Sequence, residues 1–544
     1  MKNKKVLIIG LDGATFDYIF PLMDKGRLPN LGKLIKEGSW GYLESTVQPI
    51  TGSAWPSFMT GKTPAKHGVF DFIQQEIKAD VSLVNSRSIK AETVFDILSR
   101  HNKKVIAINV PVTYPPWKIN GIMITGMLSP ENANITYPEK LKEELKDYRV
   151  DIETSYREGS EQEFIDDITN LLKIRVKVTT NLLIKNQWDF AMVVFRGTDV
   201  IPHYFRKYMD EGHPEYPKSN KKFENAISDI YEENDRAVGE LLKIIPDDTS
   251  VFLMSDHGHG RLRKMINLNM WFLKNGFLTL KKSAKVMLKY NLFKIGLSPQ
   301  NVYQVLSRLR IQNIIPHINR QSRNKILNAM LSFSDVDWSK TKAYSLGHIG
   351  QIYINLKGRE KFGIVNRGKE YEDVRNEIIE KLKKLKDPET GEYVIDKVVK
   401  KEEIYSGPFL DRAPDLYVFS KDSEYDCFAL MAQSTEIFSK HFKKQSGNHR
   451  LHGIFVANGP DIKKDNQTKD AKIIDIVPTI LYLMGIPIPD DLDGKILKDI
   501  FLPGFAKITQ PNYEKARSIQ KEDKSLKTEQ EEIKKRLREL GYLG

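Results

Sequence analysis

Three short apolar runs in the first half of the chain each end in side chains that can bind a metal ion. The runs and their side chains are residues 6–11 with Asp12, residues 191–195 with Asp199, and residues 251–254 with Asp256 and His257. Carboxylate oxygens and imidazole nitrogens are ligands that a borderline dication such as zinc takes from proteins. Each residue alone is as typical of a turn or a helix cap, so a metal site is predicted only from the set.

Asp199 has a second candidate ligand close by in the sequence. His203 follows it by four residues, and this spacing places both side chains on one face of a helical turn. A surface aspartate and histidine would show the same spacing. The pair therefore favours metal binding only in combination with the candidate ligands that follow the other two apolar runs.

The apolar runs also predict the element that must bring these side chains together. They are short, apolar on both faces, recur at residues 105–110 and 454–457, and alternate with amphipathic stretches. This pattern is typical of buried parallel strands connected by helices. We therefore expect an α/β fold with a mostly parallel central sheet and helices on both faces, in which the strand endings meet at one crevice.

The single cysteine, Cys427, excludes an internal disulfide framework and a cysteine-based zinc cluster. A tightly held metal ion must therefore use His, Asp or Glu ligands. The apolar run at residues 6–11 is too short for a signal peptide and is interrupted by Asp12, and no stretch approaches about 18 consecutive apolar residues. These features predict a cytoplasmic protein, with peripheral membrane contact as the alternative.

The composition changes along the 544 residues, which exceed the size of a typical single core. We expect a catalytic core split into residues 1–260 and 447–503. Between its two parts we expect a basic helical insertion or lid at residues 261–335 and a small α+β cap at residues 336–446. Residues 504–544 are expected to form a charged C-terminal tail, in which a capping box at residues 528–531 predicts a helix.

Five motifs occur in the order in which one enzyme family has them. They are Leu11-Asp12-Gly13, the segment 49–61 with Thr51 followed by His67-Gly68, Thr198-Asp199 with His203, Ser255-Asp256-His257-Gly258, and Gly447-Asn448-His449-Arg450. With them the chain resembles the type I phosphodiesterase/nucleotide pyrophosphatase branch of the alkaline phosphatase superfamily, especially its group of predicted phosphohydrolases and phosphomutases. The resemblance covers nearly the whole chain, apart from much of residues 275–335 and the tail, and implies an alkaline-phosphatase-like fold.

By motif, the resemblance implies two divalent metal sites, usually occupied by zinc in this family, with manganese as an alternative. One would consist of Asp12, Thr51, Asp256 and His257, and the other of Asp199, His203 and His449. Thr51 would be the nucleophile, because coordination to a dication lowers the pKa of its hydroxyl and orients it for attack on phosphorus. The resemblance thus implies a metal-dependent hydrolase of a small phosphate ester, diester or monoester, that forms a phosphothreonine intermediate.

Two features at the nucleophile bear on this assignment. Nucleotide pyrophosphatases have an asparagine three residues after the nucleophile, but this chain has Ala54, which cannot donate the same hydrogen bond to phosphate. This departure argues against nucleotide pyrophosphatase activity itself. Ser53 is an alternative nucleophile, although the register with Thr60-Gly61 favours Thr51. Sulfatase chemistry is disfavoured because the motif Cys-x-Pro-x-Arg is absent.

The other histidines near these motifs fall outside the ligand positions of the family. His259 and His452 are expected beyond the metal ligands or at the surface. His67 is expected to pack or hydrogen-bond within the loop after the nucleophile helix.

The net charge of +13 comes from one segment. Residues 261–334 contain 14 Lys and Arg residues and no Asp or Glu, which leaves 70 basic and 71 acidic residues in the rest of the chain. The segment could be a solvated helical face or an electrostatic funnel for an anionic phosphate ester. A third interpretation is contact with an anionic membrane through an interfacial helix. Its apolar side chains would be Trp271, Phe272, Leu273, Phe277 and Leu280.

Other functions fit the same sequence less well. A phosphomutase or phosphoryl transferase would use the same residues and pass the phosphoryl group to an acceptor other than water. A non-catalytic protein that binds anionic surfaces would use the basic segment alone, but the intact set of ligands argues against it. Nucleic-acid binding is disfavoured, since no recognised motif accompanies the charge.

Overall fold

The computed structural model describes residues 4–75, 81–130, 133–297, 301, 331–431, 434–441 and 444–517. Much of the second half of the basic segment and the helix predicted after residue 528 lie outside these residues. No helix in the described ranges is long and apolar enough to cross a membrane.

The strands of the described residues are β1 (Val6–Leu11), β2 (Ser39–Glu44), β3 (Ile73–Gln75), β4 (Val81–Leu83), β5 (Val105–Val110), β6 (Gly121–Thr125), β7 (Thr136–Tyr137), β8 (Phe190–Phe195), β9 (Ser250–Met254), β10 (Gly258–Arg261), β11 (Lys264–Asn267), β12 (Ala343–Ser345), β13 (Gln351–Ile354), β14 (Ile395–Lys400), β15 (Leu416–Ser420), β16 (Tyr425–Phe428), β17 (Phe438–Ser439), β18 (Gly447–Arg450), β19 (His452–Asn458), β20 (Asn466–Gln467), β21 (Ala471–Lys472), β22 (Ile488–Pro489) and β23 (Tyr513–Glu514).

The α-helices of the same residues are α1 (Phe16–Asp24), α2 (Pro29–Lys36), α3 (Thr51–Thr60), α4 (Pro64–His67), α5 (Val94–Arg100), α6 (Glu161–Lys185), α7 (Gly197–Met209), α8 (Ala226–Leu242), α9 (Leu268–Lys274), α10 (Ala284–Lys294), α11 (Lys369–Lys383), α12 (Lys401–Ile404), α13 (Ile476–Leu483) and α14 (Pro503–Ile508).

The central sheet has the strand order β20-β2-β19-β9-β1-β8-β5-β6-β7, with β21 beside β2. Its middle strands β9, β1, β8, β5 and β6 are parallel. Every residue of β1, β5, β8 and β9 is buried, which explains why their sequences are apolar on both faces. The predicted α/β class and central sheet are confirmed, and the ends of the predicted strands agree with the structure to within two residues.

Strand β19 departs from the parallel order. It pairs antiparallel with β9 on one side and with β2 on the other, so the sheet is mixed. A strand from the end of the chain therefore lies between two strands from the first 260 residues. The helices α1, α2, α3, α6, α7, α8 and α13 contribute buried side chains to the same hydrophobic core as this sheet.

A second hydrophobic cluster lies outside the central sheet. It contains residues of the antiparallel sheet β12-β13-β15-β14 and of helix α11. Side chains of α9 and α10 from the basic segment, including Phe272 and Phe293, belong to the same cluster. The described part of the basic segment therefore packs together with the strands of residues 343–420, which we call the cap.

The aromatic side chains considered for membrane contact are buried. Trp271, Phe272 and Phe277 are at most 3% exposed, and Trp271 stacks on Phe277 with 5.8 Å between the ring centroids. Their interpretation as the apolar face of an interfacial helix is therefore wrong. An apolar face that packs on protein and one that binds lipid have the same sequence pattern, because both place apolar residues at helical spacing.

Several cations of the basic segment form ion pairs with acidic residues from other parts of the chain. These pairs are Arg261 with Asp210 at 2.7 Å, Arg263 with Glu424 at 2.9 Å, Lys264 with Asp387 at 2.8 Å and Lys289 with Asp335 at 2.9 Å. Their charge is compensated locally, so the described part of the segment is less cationic than its composition suggests.

Candidate metal centre and active site

The candidate ligand residues that follow three apolar runs lie side by side at the carboxyl ends of β1, β8 and β9. Asp12 directly follows β1, Asp199 lies in the first turn of α7 after β8, and Asp256 is the second residue after β9. Thr198 Oγ1 donates a hydrogen bond of 2.7 Å to the backbone oxygen of Asp12, and the N–H of Gly13 donates one of 3.2 Å to Asp256 Oδ1. The sheet therefore produces the convergence expected from the sequence.

Thr51 is the first residue of α3 and is fully buried. Its Oγ1 lies 3.3 Å from His257 Nε2. The helix begins after Ile50, whose backbone is extended, and no side chain caps the helix. The backbone N–H groups and the dipole of a helix N-terminus favour an anion, so the Thr51 hydroxyl lies where a phosphoryl group would be stabilised.

The first ligand group consists of Asp12, Thr51, Asp256 and His257, and His257 Nε2 lies near each of the others. This nitrogen is 3.7 Å from Asp12 Oδ1 and 3.5 Å from Asp256 Oδ2. His257 Nδ1 donates a hydrogen bond of 3.0 Å to the carbonyl of Gly258. The donor role of Nδ1 leaves Nε2 as the nitrogen with a lone pair for a metal ion.

The second ligand group consists of Asp199, His203 and His449. The distances between Asp199 Oδ1, His203 Nε2 and His449 Nε2 are 3.2 Å, 3.1 Å and 3.3 Å. In a tetrahedral site with metal–ligand distances of about 2.0–2.1 Å, two ligand atoms lie about 3.3 Å apart. These three atoms therefore have the spacing of three ligands of one ion.

Backbone carbonyls orient both histidines of the second ligand group. His203 Nδ1 donates to Gly447 O at 3.2 Å, and His449 Nδ1 donates to Pro49 O at 2.8 Å. Each ring therefore presents Nε2 toward Asp199, as is usual for histidines that ligate metals.

The two ligand groups share one buried pocket. The rings of His257 and His449 stack with 3.7 Å between their centroids. Asp199, His257 and His449 also offer ligand atoms that lie within 4.8 Å of one another. The structure thus brings all seven residues singled out from the sequence into one place.

Three of the four carboxylate oxygens in the first ligand group are buried without a hydrogen-bond donor among the described residues. Neither oxygen of Asp12 nor Asp256 Oδ2 accepts a hydrogen bond within the described ranges. Burial, and then repulsion from Asp256 and Asp199, raises the pKa of Asp12 well above its ordinary value, and the guanidinium of Arg196 at 3.8 Å opposes this only in part. Because a buried carboxylate without compensation is costly, the first ligand group fits a dication.

The second ligand group is electrostatically better balanced. Burial alone would raise the pKa of Asp199, but the imidazoles of His203 and His449 hold it well below its ordinary value. In the first ligand group, burial lowers the pKa of His257 to about 4. Its imidazole is therefore neutral at pH 7, as a metal ligand must be.

A narrow cleft adjoins the second ligand group where the core meets the cap. Its lining includes His449, Gln48 and Ile349. Next to Ile349, His348 Nδ1 lies 2.6 Å from the carboxylate of Asp71 and joins the cap to the core. The cap therefore forms one wall of the space beside the ligands.

The remaining residues named from the sequence lie in different places. Ser53, the alternative nucleophile, is buried in the first turn of α3 and its hydroxyl has no hydrogen-bond partner among the described residues. His67 is buried with Nε2 at 2.8 Å from Ser57 Oγ, as predicted for the loop after the helix. His452 is exposed.

Two side chains beside the ligands were missed by the sequence reasoning. His259 is fully buried and, with Asp199 and His203, forms a set of candidate ligands. Its spacing of two residues from His257 could have indicated this, since alternate residues of an extended segment lie on one face. Arg196 lies 3.8 Å from Asp12 and 4.0 Å from Asp199, and no sequence signal distinguishes it from a surface arginine.

Comparison with known proteins supports the family and the fold. The family model described as type I phosphodiesterase / nucleotide pyrophosphatase matches residues 6–426, which include Thr51 and Asp256 but end before His449. No curated protein matches the sequence. Human ectonucleotide pyrophosphatase / phosphodiesterase 5 is 14% identical, with a TM-score of 0.50 and coverage of 90% of this chain and 97% of that one.

A second solved structure supports the same fold. The wild-type alkaline phosphatase PafA is 14% identical, with a TM-score of 0.52 and coverage of 91% of this chain and 98% of that one. These likenesses show an alkaline-phosphatase-like fold, as predicted from the motifs. The family match extends over most of the chain and makes it a phosphoric ester hydrolase. The chain belongs to the type I phosphodiesterase / nucleotide pyrophosphatase family.

Proposed function

We propose that this chain hydrolyses small phosphate esters with Thr51 as the nucleophile and with a dication, usually zinc, at each ligand group. One observation carries the proposal. Thr51 Oγ1 lies at the N-terminus of α3 and 3.3 Å from His257 Nε2, whose ring stacks on His449 of the second ligand group. The hydroxyl is therefore beside both candidate metal sites.

The residues of each ligand group would hold one ion. The donor-poor carboxylates of the first group and the spacing of 3.1–3.3 Å between ligand atoms of the second support this assignment. Bound dications supply the positive charge that lowers the pKa of the Thr51 hydroxyl and offsets the charge of the phosphoryl oxygens.

The proposed reaction has two steps. In the first, Thr51 Oγ1 forms a bond to phosphorus while the bond from phosphorus to the leaving oxygen breaks, and the released alkoxide takes up the proton that Thr51 loses. In the second, water attacks the phosphorus of phosphothreonine, the bond to Oγ1 breaks, and the threonine hydroxyl is restored. The N–H groups of Ser53 and Ala54 donate to Ile50 O at 2.9 Å and 2.8 Å, so those of Thr51 and Gly52 at the start of α3 would stabilise the phosphoryl oxygens in both steps.

The substrate is proposed to be a small ester, diester or monoester. Ala54 is fully buried at the position where nucleotide pyrophosphatases have asparagine, and its methyl group cannot hydrogen-bond a phosphoryl oxygen. Recognition of the leaving group would fall to the cleft between core and cap, whose lining includes the polar residues Gln48, Ser420 and Asn448.

An assay panel would test the proposal. The protein, depleted of metal by a chelator and restored with zinc or manganese, is given bis-p-nitrophenyl phosphate, p-nitrophenyl phosphate and a phenylphosphonate. We expect turnover of at least one ester that needs added metal and falls at least about 10³-fold in Thr51→Ala. Acid quenching during turnover of a ³²P-labelled ester should leave label on wild-type protein.

Ser53→Ala is the matched control, because Ser53 is a buried hydroxyl in the same helical turn. It should retain turnover and label. Activity in Thr51→Ala together with inactivity in Ser53→Ala would move the nucleophile to Ser53 and refute the proposed mechanism. Product formation that rises with an added alcohol acceptor would instead indicate phosphoryl transfer.

A further inference from the structure

His259 is a buried imidazole that the proposed reaction does not use. It is 0% exposed, and neither Nδ1 nor Nε2 has a hydrogen-bond partner in the described part of the chain. A neutral imidazole has one donor and one acceptor, and burying both without partners is costly. In folded proteins such a group is usually completed by a metal ion, a ligand or an ordered water.

The β-structure around His259 directs its ring to the second ligand group. Strands β10 and β18 pair antiparallel with His259 directly opposite His449. The centroid of the His259 ring is 4.6 Å from that of His203 and 5.9 Å from that of His449. A ring nitrogen of His259 and the ligand atoms of Asp199 and His203 lie within 4.8 Å of one another.

Gly447 makes this approach feasible. A Cβ atom at residue 447 would clash with the backbone carbonyl of Pro202 and lie 2.5 Å from His259 Cε1, so any other residue would displace the backbone of α7 or the imidazole. The carbonyl of Gly447 also accepts the hydrogen bond from His203 Nδ1 at 3.2 Å. The backbone at residue 447 therefore positions two histidines beside Asp199 at once.

We propose that His259 is a fourth protein ligand at the second ligand group. This inference rests on the proposed function, because it requires a dication at that group. Asp199 and three histidines would fill a tetrahedral coordination sphere, whereas a catalytic zinc site keeps one position open for water or substrate. His259 would therefore take the position that a catalytic zinc site keeps open, which favours retention of the ion at this group.

Metal binding in His259→Phe tests the proposal without reference to activity. Metal-free protein is titrated with zinc in competition with a chromophoric chelator, and bound metal is counted by mass spectrometry. We expect two equivalents in wild type, and in the variant an unchanged first equivalent and a second bound at least about 10-fold more weakly. His452→Phe is the matched control, since it removes an exposed histidine of β19, and it should bind both ions as wild type does.

A second measurement uses wild-type protein alone, so it does not depend on folding of the variant. Protein labelled with ¹⁵N in histidine is loaded with ¹¹³Cd, and coupling between cadmium and ring nitrogens is recorded. We expect four coupled rings, those of His203, His257, His259 and His449.

Three outcomes would overturn the inference. The first is unchanged affinity for the second zinc equivalent in His259→Phe, and the second is a His259 ring that shows no cadmium coupling while the other three rings do. Either would mean that water and not a metal ion hydrogen-bonds the buried imidazole, and the proposed function would stand. Wild-type protein that binds no zinc would overturn this inference and the proposed function together. The two failures are therefore distinguishable.

Discussion

Asp12 in the core and Asp415 in the cap are both fully buried carboxylates, yet their surroundings are opposite. Asp415 Oδ1 accepts from Arg359 Nη1 at 2.8 Å and from the Tyr371 hydroxyl at 2.5 Å, and it pairs with Lys401 at 3.1 Å. Its Oδ2 accepts from Arg359 Nη2 at 2.6 Å and from the Ile354 N–H at 2.7 Å. Burial would raise the pKa of Asp415, but Arg359, Lys401 and the Tyr371 hydroxyl together outweigh burial and hold it well below its ordinary value.

Asp12 lacks the hydrogen-bond donors that surround Asp415. Its oxygens accept no hydrogen bond in the described part of the chain, and two other aspartates lie close enough to raise its pKa. The comparison indicates that a buried carboxylate in this fold is structural where the chain itself supplies cations and donors. Asp12 has the guanidinium of Arg196 at 3.8 Å but no hydrogen-bond donor among the described residues, and we propose that it binds a cation from solution.

The largest effect is expected from Asp256→Ala, which removes a buried carboxylate with too few hydrogen-bond donors. We expect it to lose one metal equivalent and to lower turnover at least about 10³-fold, because the charge that activates Thr51 would be lost. Metal counting by mass spectrometry and steady-state assays measure both. Unchanged metal stoichiometry would contradict the role of Asp256 as a ligand and with it the contrast to Asp415.

Asp415→Asn should affect stability and leave metal content at two equivalents. Removing one partner of a buried ion pair costs about 3–5 kcal/mol, since Arg359 and Lys401 would be left without their counter-charge. Denaturant unfolding measures the change. Loss of metal in this variant without loss of stability would show that the cap carboxylate also serves the site.

The pH dependence of stability sharpens this test. Folding lowers the pKa of Asp415 below its unfolded value of 3.8, so its stabilising contribution is complete above pH 3.8 and is lost as pH falls toward the folded pKa. Unfolding curves from pH 7 to pH 3 should therefore show a loss of stability in wild type that is smaller in Asp415→Asn. Equal slopes in the two proteins would contradict the assignment.

The smallest effect is expected from Asp12→Asn in metal-free protein. Folding without metal raises the pKa of Asp12, so its ionised form destabilises the fold above pH 3.8, and the amide removes that penalty. We expect the chelated variant to be more stable than chelated wild type by about 1 kcal/mol, and the metal-loaded variant to be less stable. Thermal unfolding with and without chelator measures both stabilities. Destabilisation in both conditions would contradict the contrast between Asp12 and Asp415.

Much of the fold and of the candidate site could be predicted from local sequence patterns. The buried strands are continuous apolar runs, and the ligands at their ends follow from the topology of parallel sheets. The position of β19 could not be predicted, because its two neighbours are about 200 and 400 residues away in the chain and no local pattern encodes them. Arg196 was missed for the same reason, whereas His259 was placed beyond the ligands although its spacing from His257 was a usable signal.

The location of β19 has a consequence for synthesis of the protein. Because β19 separates β2 from β9, and because His449 Nδ1 donates to the carbonyl of Pro49, the nucleophile's surroundings are incomplete until nearly the whole polypeptide has left the ribosome. A nascent or prematurely terminated product that ends in the cap therefore contains Thr51 but lacks His449 and β19, and we expect it not to hydrolyse phosphate esters.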